Sequence, residues 1–181
     1  ENETIENSIN RISVSEVSAF DDDKLVGVDG ANLYVWDENL DEKASTDLGG
    51  TGNTPPIPFE ENDGTKMIYT TENVSNGTIS AYEFDGSSLN KEWEETTGER
   101  GGVGIMYGDT LLISGLGGPK VLNRIDGSEE WSENSEATSF GMPYDEKVPA
   151  VNPVGDGMRI MDVKTGQIGD APAELVHSWD G

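Results

Sequence analysis

The chain has 181 residues, of which 36 are Asp or Glu and 11 are Lys or Arg, so its formal net charge is −25. It contains no Cys and one His, which excludes disulfides, thiolate chemistry and metal sites built from several His or Cys of this chain. The charge argues against binding to a nucleic-acid backbone, which requires clustered Lys and Arg. No apolar run approaches the roughly 18 residues that span a bilayer.

The acidic residues lie along the whole chain rather than in one tail. Four Trp, five Tyr and four Phe indicate a packed core and not a disordered chain. A globally acidic surface is typical of proteins that work at high salt, because at 1 M salt the screening length is only about 3 Å. We therefore predict that the chain comes from a halophilic archaeon or a virus of one, and that molar salt stabilises it.

The predicted elements begin after a polar arm, residues 1–13, which we expect to be partly flexible. Short extended runs then follow in pairs. The first runs of the pairs start at 24, 66, 110 and 147, which are 42, 44 and 37 residues apart. The turns inside the pairs contain residues that accept a positive φ, as hairpin turns require: Asp29-Gly30, Asn76-Gly77, Gly117-Gly118 and Asp156-Gly157.

A short run precedes each pair and a weaker one follows it, so one unit has four strands in about 40 residues. We predict an all-β fold of antiparallel meanders with almost no helix. The units are near 14–53, 54–98, 99–138 and 139–173, within a single domain 14–181, and 174–181 resembles the first strand of a fifth unit. The predicted core includes Leu25, Tyr34, Ile68, Ile79, Tyr82, Leu112, Ile113, Leu122, Val148 and Ile160.

Several units share a further pattern, in which the third strand ends in an Asp/Gly turn and a Trp follows. It is clearest from Ala81 through Asp85-Gly86 to Trp93, and from Asn123 through Asp126-Gly127 to Trp131. Met161 to Gln167 repeats the turn, but Ile168 and Gly169 stand where the Trp would come. Leu33 to Asp37 repeats only the strand. This pattern resembles the PQQ-like (quinoprotein-type) β-propeller repeat.

The resemblance implies a β-propeller of about four blades, either a small closed ring or a fragment of a larger propeller. A β-sandwich or an irregular β-rich domain is the alternative. In a propeller, we expect the tryptophans to pack between blades and not to form ligand platforms. These are Trp36, Trp93, Trp131 and Trp179.

The resemblance does not bring quinoprotein dehydrogenase activity with it. The chain has no vicinal Cys pair and is too short to enclose the cofactor with eight blades. We therefore expect no cofactor and no catalytic residues. Gly101 to Gly104 and Gly115 to Gly118 are not phosphate loops, because no Lys-Ser/Thr pair and no helix follows.

Two acidic segments could suggest a metal site, and we reject both. Asp21 to Asp23 is interpreted as a solvated turn. Asp37, Asn39 and Asp41 have the first spacings of an EF-hand loop, but that loop's Gly and final Glu are missing. His177, Ser178 and Asp180 do not form a triad, because adjacent residues of a strand point to opposite faces.

Three Asn-X-Ser/Thr triplets are candidate glycosylation sites, at Asn2, Asn73 and Asn76. Together with a first residue other than Met, they favour an extracellular, cell-surface or virion-surface location.

We predict a non-enzymatic binding or scaffold domain, because variable loops on a rigid sheet scaffold are where binding usually resides. Its partner would be a protein or glycan on a cell surface or envelope, and it would reach a membrane only through an anchor absent from this chain. The alternatives are an ectodomain fragment of a haloarchaeal virus spike, for host attachment or membrane fusion, and a small carboxylate-dependent hydrolase. The candidate binding loops contain Pro55, Pro56, Ile57, Phe59, Met142 and Tyr144.

Overall fold

The structure is a computed structural model and describes residues 17–20, 24–52, 55–72, 77–97, 104–115, 118–132, 139–141, 145–151 and 158–170. Within these ranges the chain forms sixteen strands in four sheets of four, and no helix. Each sheet is an antiparallel meander of consecutive strands. The all-β prediction is thus confirmed.

Sheets 1 and 2 occupy the first half of the chain. Sheet 1 contains β1 (Val17–Ala19), β2 (Leu25–Asp29), β3 (Asn32–Trp36) and β4 (Glu42–Asp47). Sheet 2 contains β5 (Ile57–Glu60), β6 (Lys66–Glu72), β7 (Thr78–Phe84) and β8 (Leu89–Thr96).

Sheets 3 and 4 repeat the same order. Sheet 3 contains β9 (Gly104–Tyr107), β10 (Thr110–Gly115), β11 (Gly118–Asn123) and β12 (Glu129–Ser132). Sheet 4 contains β13 (Ser139–Phe140), β14 (Lys147–Val151), β15 (Met158–Asp162) and β16 (Ile168–Asp170).

Three apolar clusters join the sheets in chain order. The first combines residues of sheets 1 and 2, such as Val26, Leu33 and Tyr82. The second joins sheets 2 and 3 through Tyr69 and Leu122, and the third joins sheets 3 and 4. Successive side chains of a strand point to opposite faces, so the middle strands of sheets 2 and 3 contribute side chains to the clusters on both sides. The middle strands of sheet 2 are accordingly buried over most of their length.

Seven of the ten predicted core residues are buried, whereas Leu25, Tyr34 and Ile160 are only half-buried. All three alternate with residues that belong to a core cluster, and so lie on the opposite face of sheet 1 or sheet 4. The pattern of apolar residues could not show that these two faces lie outside the three clusters. On the face of sheet 1, Tyr34 stacks on Trp36 with 5.2 Å between the ring centroids.

A tryptophan on the fourth strand of sheet 2, and another on that of sheet 3, fixes each of these sheets to the next one. The indole N–H of Trp93 donates to the carbonyl oxygen of Arg124 at 3.1 Å, and that of Trp131 donates to Val163 at 2.8 Å. Each indole lies against the glycine of the neighbouring sheet's last turn, Gly127 or Gly166. Trp93 and Trp131 therefore pack between sheets, as the sequence predicted.

In sheets 1 and 4, the fourth-strand position that corresponds to these tryptophans holds a small residue. Trp93 pairs with Ala81 and Trp131 with Val121, and the corresponding pairs are Val35 with Ala44 and Ile160 with Gly169. Ala44 is buried in the first cluster, to which sheet 2 contributes Phe84 and, at its margin, Leu89. Beside Gly169 lies a shallow cleft of about 300 Å³.

Within the described ranges, no helix is long and apolar enough to cross a membrane.

We expect Gly127→Ala to destabilise the protein more than Gly86→Ala. Both glycines have a positive φ, at 73° and 99°, so either substitution carries left-handed strain of about 1–2 kcal/mol. A Cβ at Gly127 would also lie 2.6 Å from a ring atom of Trp93, whereas one at Gly86 would meet no atom within 4 Å. Overpacking should add about 1–3 kcal/mol to the loss at Gly127.

Denaturant unfolding of the two variants measures this difference. The control is Gly127→Ala made in the Trp93→Ala background, where the ring is absent and the glycine substitution should cost no more than Gly86→Ala does in the wild-type chain. Equal destabilisation by the two alanines would show that the indole does not lie against this glycine.

Candidate functional site: the aspartate-turn end

Five of the turns between neighbouring strands contain an Asp that organises the turn. In each case Oδ1 accepts a hydrogen bond of 2.9–3.1 Å from the backbone N–H two residues later, which is an Asx turn. All five join the first strand of a sheet to the second or the third to the fourth, so they lie at one end of the sheets. We call this the aspartate-turn end, defined by Asp37, Asp63, Asp85, Asp126 and Asp162.

These hydrogen bonds stabilise the ionised carboxylates. The hydroxyl and N–H of Ser88 and the N–H of Ser87 hold the pKa of Asp85 far below its usual range. The Lys147 ammonium, with help from the N–H of Thr165, lowers the pKa of Asp162 to about 2. Lys43 lowers the pKa of Asp37. Carboxylates that stay ionised near neutral pH do not act as proton donors.

Basic side chains are interleaved with these carboxylates. Lys43 Nζ lies 2.6 Å from Asp37 Oδ2, and Lys66 Nζ lies 3.1 Å from Glu60 Oε2. Lys147 pairs with Asp162, and Lys164 pairs with Glu146. The aspartate-turn end therefore carries both signs of charge, although the chain as a whole is strongly acidic.

A cleft of about 450 Å³ opens at this end between sheets 1 and 2. Two lysines, three carboxylates and the buried residue Phe84 are among the residues that line it. The cleft is shallow and polar, and is suited to a partner that presents both charged and hydrogen-bonding groups. Its lining residues include Lys24, Asp63, Lys66, Glu83 and Asp85.

Arg124, in the last turn of sheet 3, lies at the same end and joins sheets 2 and 3. Its side chain is 7% exposed and makes a two-pronged ion pair with Glu61 of sheet 2, in which Nη2 lies 3.1 Å from Oε2. Nη2 also donates to Asp109 Oδ1 at 2.9 Å, and Nε donates to the carbonyl oxygen of Gly108 at 3.0 Å. The Glu61 carboxylate raises the pKa of Arg124, which remains charged.

Two aromatic rings of sheet 2 complete the environment of Arg124. The guanidinium carbon lies 4.4 Å from the ring centroid of Phe59, in a cation–π arrangement. Nη1 lies 3.5 Å from the hydroxyl oxygen of Tyr69, and burial raises the pKa of that hydroxyl. The backbone carbonyl of Arg124 accepts the indole N–H of Trp93. Arg124 therefore contacts sheet 2 both through its guanidinium group and through its backbone carbonyl.

The predicted binding-loop residues divide between the core and the surface. Ile57 and Phe59 lie in β5, half-buried against the second cluster, while Pro56 is buried and Pro55 is exposed. The exposed large apolar side chain of the described chain is instead Ile125, 64% exposed beside Arg124. Several other predicted residues lie outside the described residues: Met142, Tyr144, Asn2, Asn73, Asn76, Asp21 to Asp23, Trp179 and the His177 to Asp180 segment.

The segment with EF-hand-like spacing forms an ordinary turn. Asp37 Oδ1 accepts from the N–H groups of Asn39 and Asp41, and Oδ2 pairs with Lys43, so this carboxylate is already satisfied by the chain. In the parts that the structure describes, no three His, Cys, Asp or Glu side chains are grouped as a metal site.

The sequence analysis missed the role of Arg124 and the exposure of Ile125. A signal was available, because Arg124 is one of only 11 basic residues and stands two residues before the Asp126-Gly127 turn. Its partners Glu61 and Asp109 are 63 and 15 residues away along the chain. No local pattern connects such residues until the sheets are assembled.

Comparisons with known proteins identify the fold. No family model matches the sequence, and no curated protein matches it either. Solved structures with a similar fold include the computationally designed Ika4 protein (TM-score 0.67, 11% identity, 88% of this chain and 96% of that one). BamB from Moraxella catarrhalis, a β-propeller, is also similar (TM-score 0.56, 15% identity, 86% of this chain and 49% of that one).

The designed Ika8 protein and U3-55K each give a TM-score of 0.61, with 17% and 12% identity. They are matched over 84% and 82% of this chain, and the chain spans about half the length of each, 48%. At such identities the similarity shows the fold alone, which is propeller-like.

We expect Arg124→Met to lower the free energy of unfolding by about 3 kcal/mol, because removing one partner leaves Glu61 without its counter-charge at the interface between sheets. The double variant Arg124→Met/Glu61→Leu should recover much of this loss, since an apolar pair of similar volume replaces the ion pair. Denaturant unfolding of both variants measures the coupling. Lys164→Met is the matched control, because its pair with Glu146 is exposed and should contribute little.

Replacement of Lys147 by Met should raise the pKa of Asp162 from about 2 towards its ordinary 3.8, since the ammonium is the largest cause of the shift. The folded-state pKa is depressed, so Asp162 contributes stability above pH 3.8, and this is lost as the pH falls through about 2. The variant should lose less stability over that window. NMR titration of the carboxyl carbon measures the pKa. As a control, Lys43→Met should raise the pKa of Asp37 and leave the pKa of Asp162 unchanged.

Proposed function

We propose that this chain is a non-enzymatic recognition domain that binds its partner at the aspartate-turn end, outside the cytoplasm and at high salt. The observation that carries the proposal is the polar cleft between sheets 1 and 2, walled by Lys24, Lys66 and Asp85 among others. The propeller-like fold is compatible with a binding or scaffold role, but folds of this kind host many functions, so the argument rests on the cleft.

The charges of the cleft suit recognition better than catalysis. The carboxylates of Asp63 and Asp85 have lowered pKa values because their own turns donate hydrogen bonds to them. An acid–base enzyme instead requires one carboxylate whose pKa is raised towards the working pH. A row of fixed anions and lysines complements an extended protein segment that carries both charges.

The exposed side chain of Ile125 supplies an apolar contact at the same end. In molar salt, charge steering is weak because the screening length is only about 3 Å. Apolar contacts therefore carry a larger share of the affinity there, and an apolar residue surrounded by polar groups is a common interface arrangement. The partner that we propose is a protein segment on a cell surface or envelope, with a glycan as the alternative outcome.

Binding to envelopes of halophilic cells in 2 M NaCl, about the range of strong screening, tests the proposal. We expect saturable binding that is weakened by Lys66→Gln and by Ile125→Ser. The matched control is Thr51→Ser, an exposed residue in the β4–β5 connection at the opposite end. Protease treatment of the envelopes should abolish binding, whereas glycosidase treatment abolishes it if the partner is a glycan.

Unfolding of each variant is measured in the same buffer, so that a loss of binding is not confused with a loss of fold. No saturable binding, together with a reproducible hydrolase activity lost on one carboxylate-to-amide substitution, would overturn the proposal in favour of the enzymatic alternative.

A further inference from the structure

A buried acidic side chain lies at the end of the sheets opposite to the aspartate turns. Glu72, the last residue of β6, is only 3% exposed. Its Oε2 accepts a hydrogen bond of 2.8 Å from the hydroxyl of Thr78, and its Oε1 lies 3.3 Å from the hydroxyl oxygen of Ser80. An isolated carboxylate is far more costly to bury than a neutral polar group, unless a counter-charge accompanies it.

The neighbouring charges do not supply that counter-charge. Glu94 Oε2 lies 3.4 Å from the same Ser80 hydroxyl, which has one proton and can donate to only one of the two carboxylates. Glu94 has its own cation, because Lys91 Nζ lies 2.6 Å from it. Among the described residues, neither Lys nor Arg forms an ion pair with Glu72.

A second observation at the same place concerns Thr70. Thr70 is only 1% exposed, and its buried hydroxyl has no hydrogen-bond partner among the described residues. Thr70 lies directly opposite Ser80 in the β6–β7 ladder and two residues before Glu72, so all three side chains share one face of sheet 2. A buried hydroxyl without a protein partner is uncommon, and a bound water or ion is one way in which such a group is satisfied.

One ligand would account for both observations. We propose that a hard monovalent cation of the sodium class binds between the Glu72 carboxylate and the hydroxyl oxygens of Thr70, Thr78 and Ser80. All of these groups would bind the cation through oxygen atoms, which are the ligands that hard cations prefer. A hydroxyl can rotate its proton away and present a lone pair to a cation. The single charge of Glu72 matches a single positive charge, and the cation gives the Thr70 hydroxyl its missing contact.

Such a site makes part of the stabilisation by salt depend on which cation is present. Screening depends on ionic strength alone, whereas a site that exists only in the folded state stabilises it in proportion to its occupancy. Thermal unfolding is therefore followed while NaCl replaces choline chloride at a constant total of about 1 M, where the screening length stays near 3 Å. We expect the Tm of the wild-type chain to rise with Na⁺ and then to saturate.

Two variants assign this rise to the site. Glu72→Gln should lose the Na⁺-dependent rise, while Glu38→Gln, the same change of charge at an exposed turn residue, should keep it. Thr70→Val keeps the shape of the side chain and replaces its hydroxyl with a methyl group. In choline chloride it should be at least as stable as the wild type, and in NaCl its half-saturating Na⁺ concentration should increase several-fold.

Sodium NMR line broadening provides a readout that does not depend on stability, and it should be present in the wild-type chain and absent in Glu72→Gln. The proposal is wrong if the wild-type Tm is the same in NaCl and choline chloride, or if Glu72→Gln keeps the rise. Saturation by CaCl₂ at much lower concentration, at matched ionic strength, would overturn the assignment to a monovalent cation.

Discussion

The contact between an indole ring and a glycine of the next sheet is the constraint on which the described assembly depends. Trp93 and Trp131 each place a flat ring where a Cβ of Gly127 or Gly166 would stand, at 2.6 and 2.7 Å from ring atoms. Both glycines have a positive φ, so the turn conformation and the packing surface require the same residue. The indole N–H then fixes the distance between the sheets by bonding to the neighbouring turn. Each Trp–Gly pair therefore links a strand of one sheet to a turn of the next and defines the contact between the two sheets.

The interface between sheets 1 and 2 is built differently, and the rest of its structure follows from that difference. Ala44 stands at the tryptophan position, and Phe84 and Leu89 of sheet 2 belong to the same apolar cluster. Polar groups lie at both ends of this interface. At one end lies the cleft bordered by Lys24 and Lys66, and at the other the buried carboxylate of Glu72. The candidate binding site and the proposed cation site thus both lie where the repeat departs from its own pattern.

The repeat pattern predicted the strands, the meander order and the roles of Trp93 and Trp131, because these depend on local periodicity and on turn chemistry that recurs about every 40 residues. It predicted the core less well at Leu25, Tyr34 and Ile160, since alternation shows that a residue faces one side but not whether a sheet covers that side. The site was hardly predictable. Arg124, Glu61 and Tyr69 lie far apart in sequence, and Ile57 and Phe59 carry the same apolar signal whether they form a loop or an inner strand.

The two interfaces also show two ways in which a strongly acidic chain accommodates carboxylates where sheets meet. Between sheets 2 and 3, Arg124 supplies the counter-charge, and its guanidinium satisfies Glu61, Asp109 and a backbone carbonyl at once. A chain with only 11 basic residues cannot repeat this at every interface. Between sheets 1 and 2, Glu72 is surrounded by hydroxyls, which orient a carboxylate but do not neutralise it. If the solvent supplies the cation that the sequence lacks, salt becomes part of the folded structure at this interface and not only a screen for its surface.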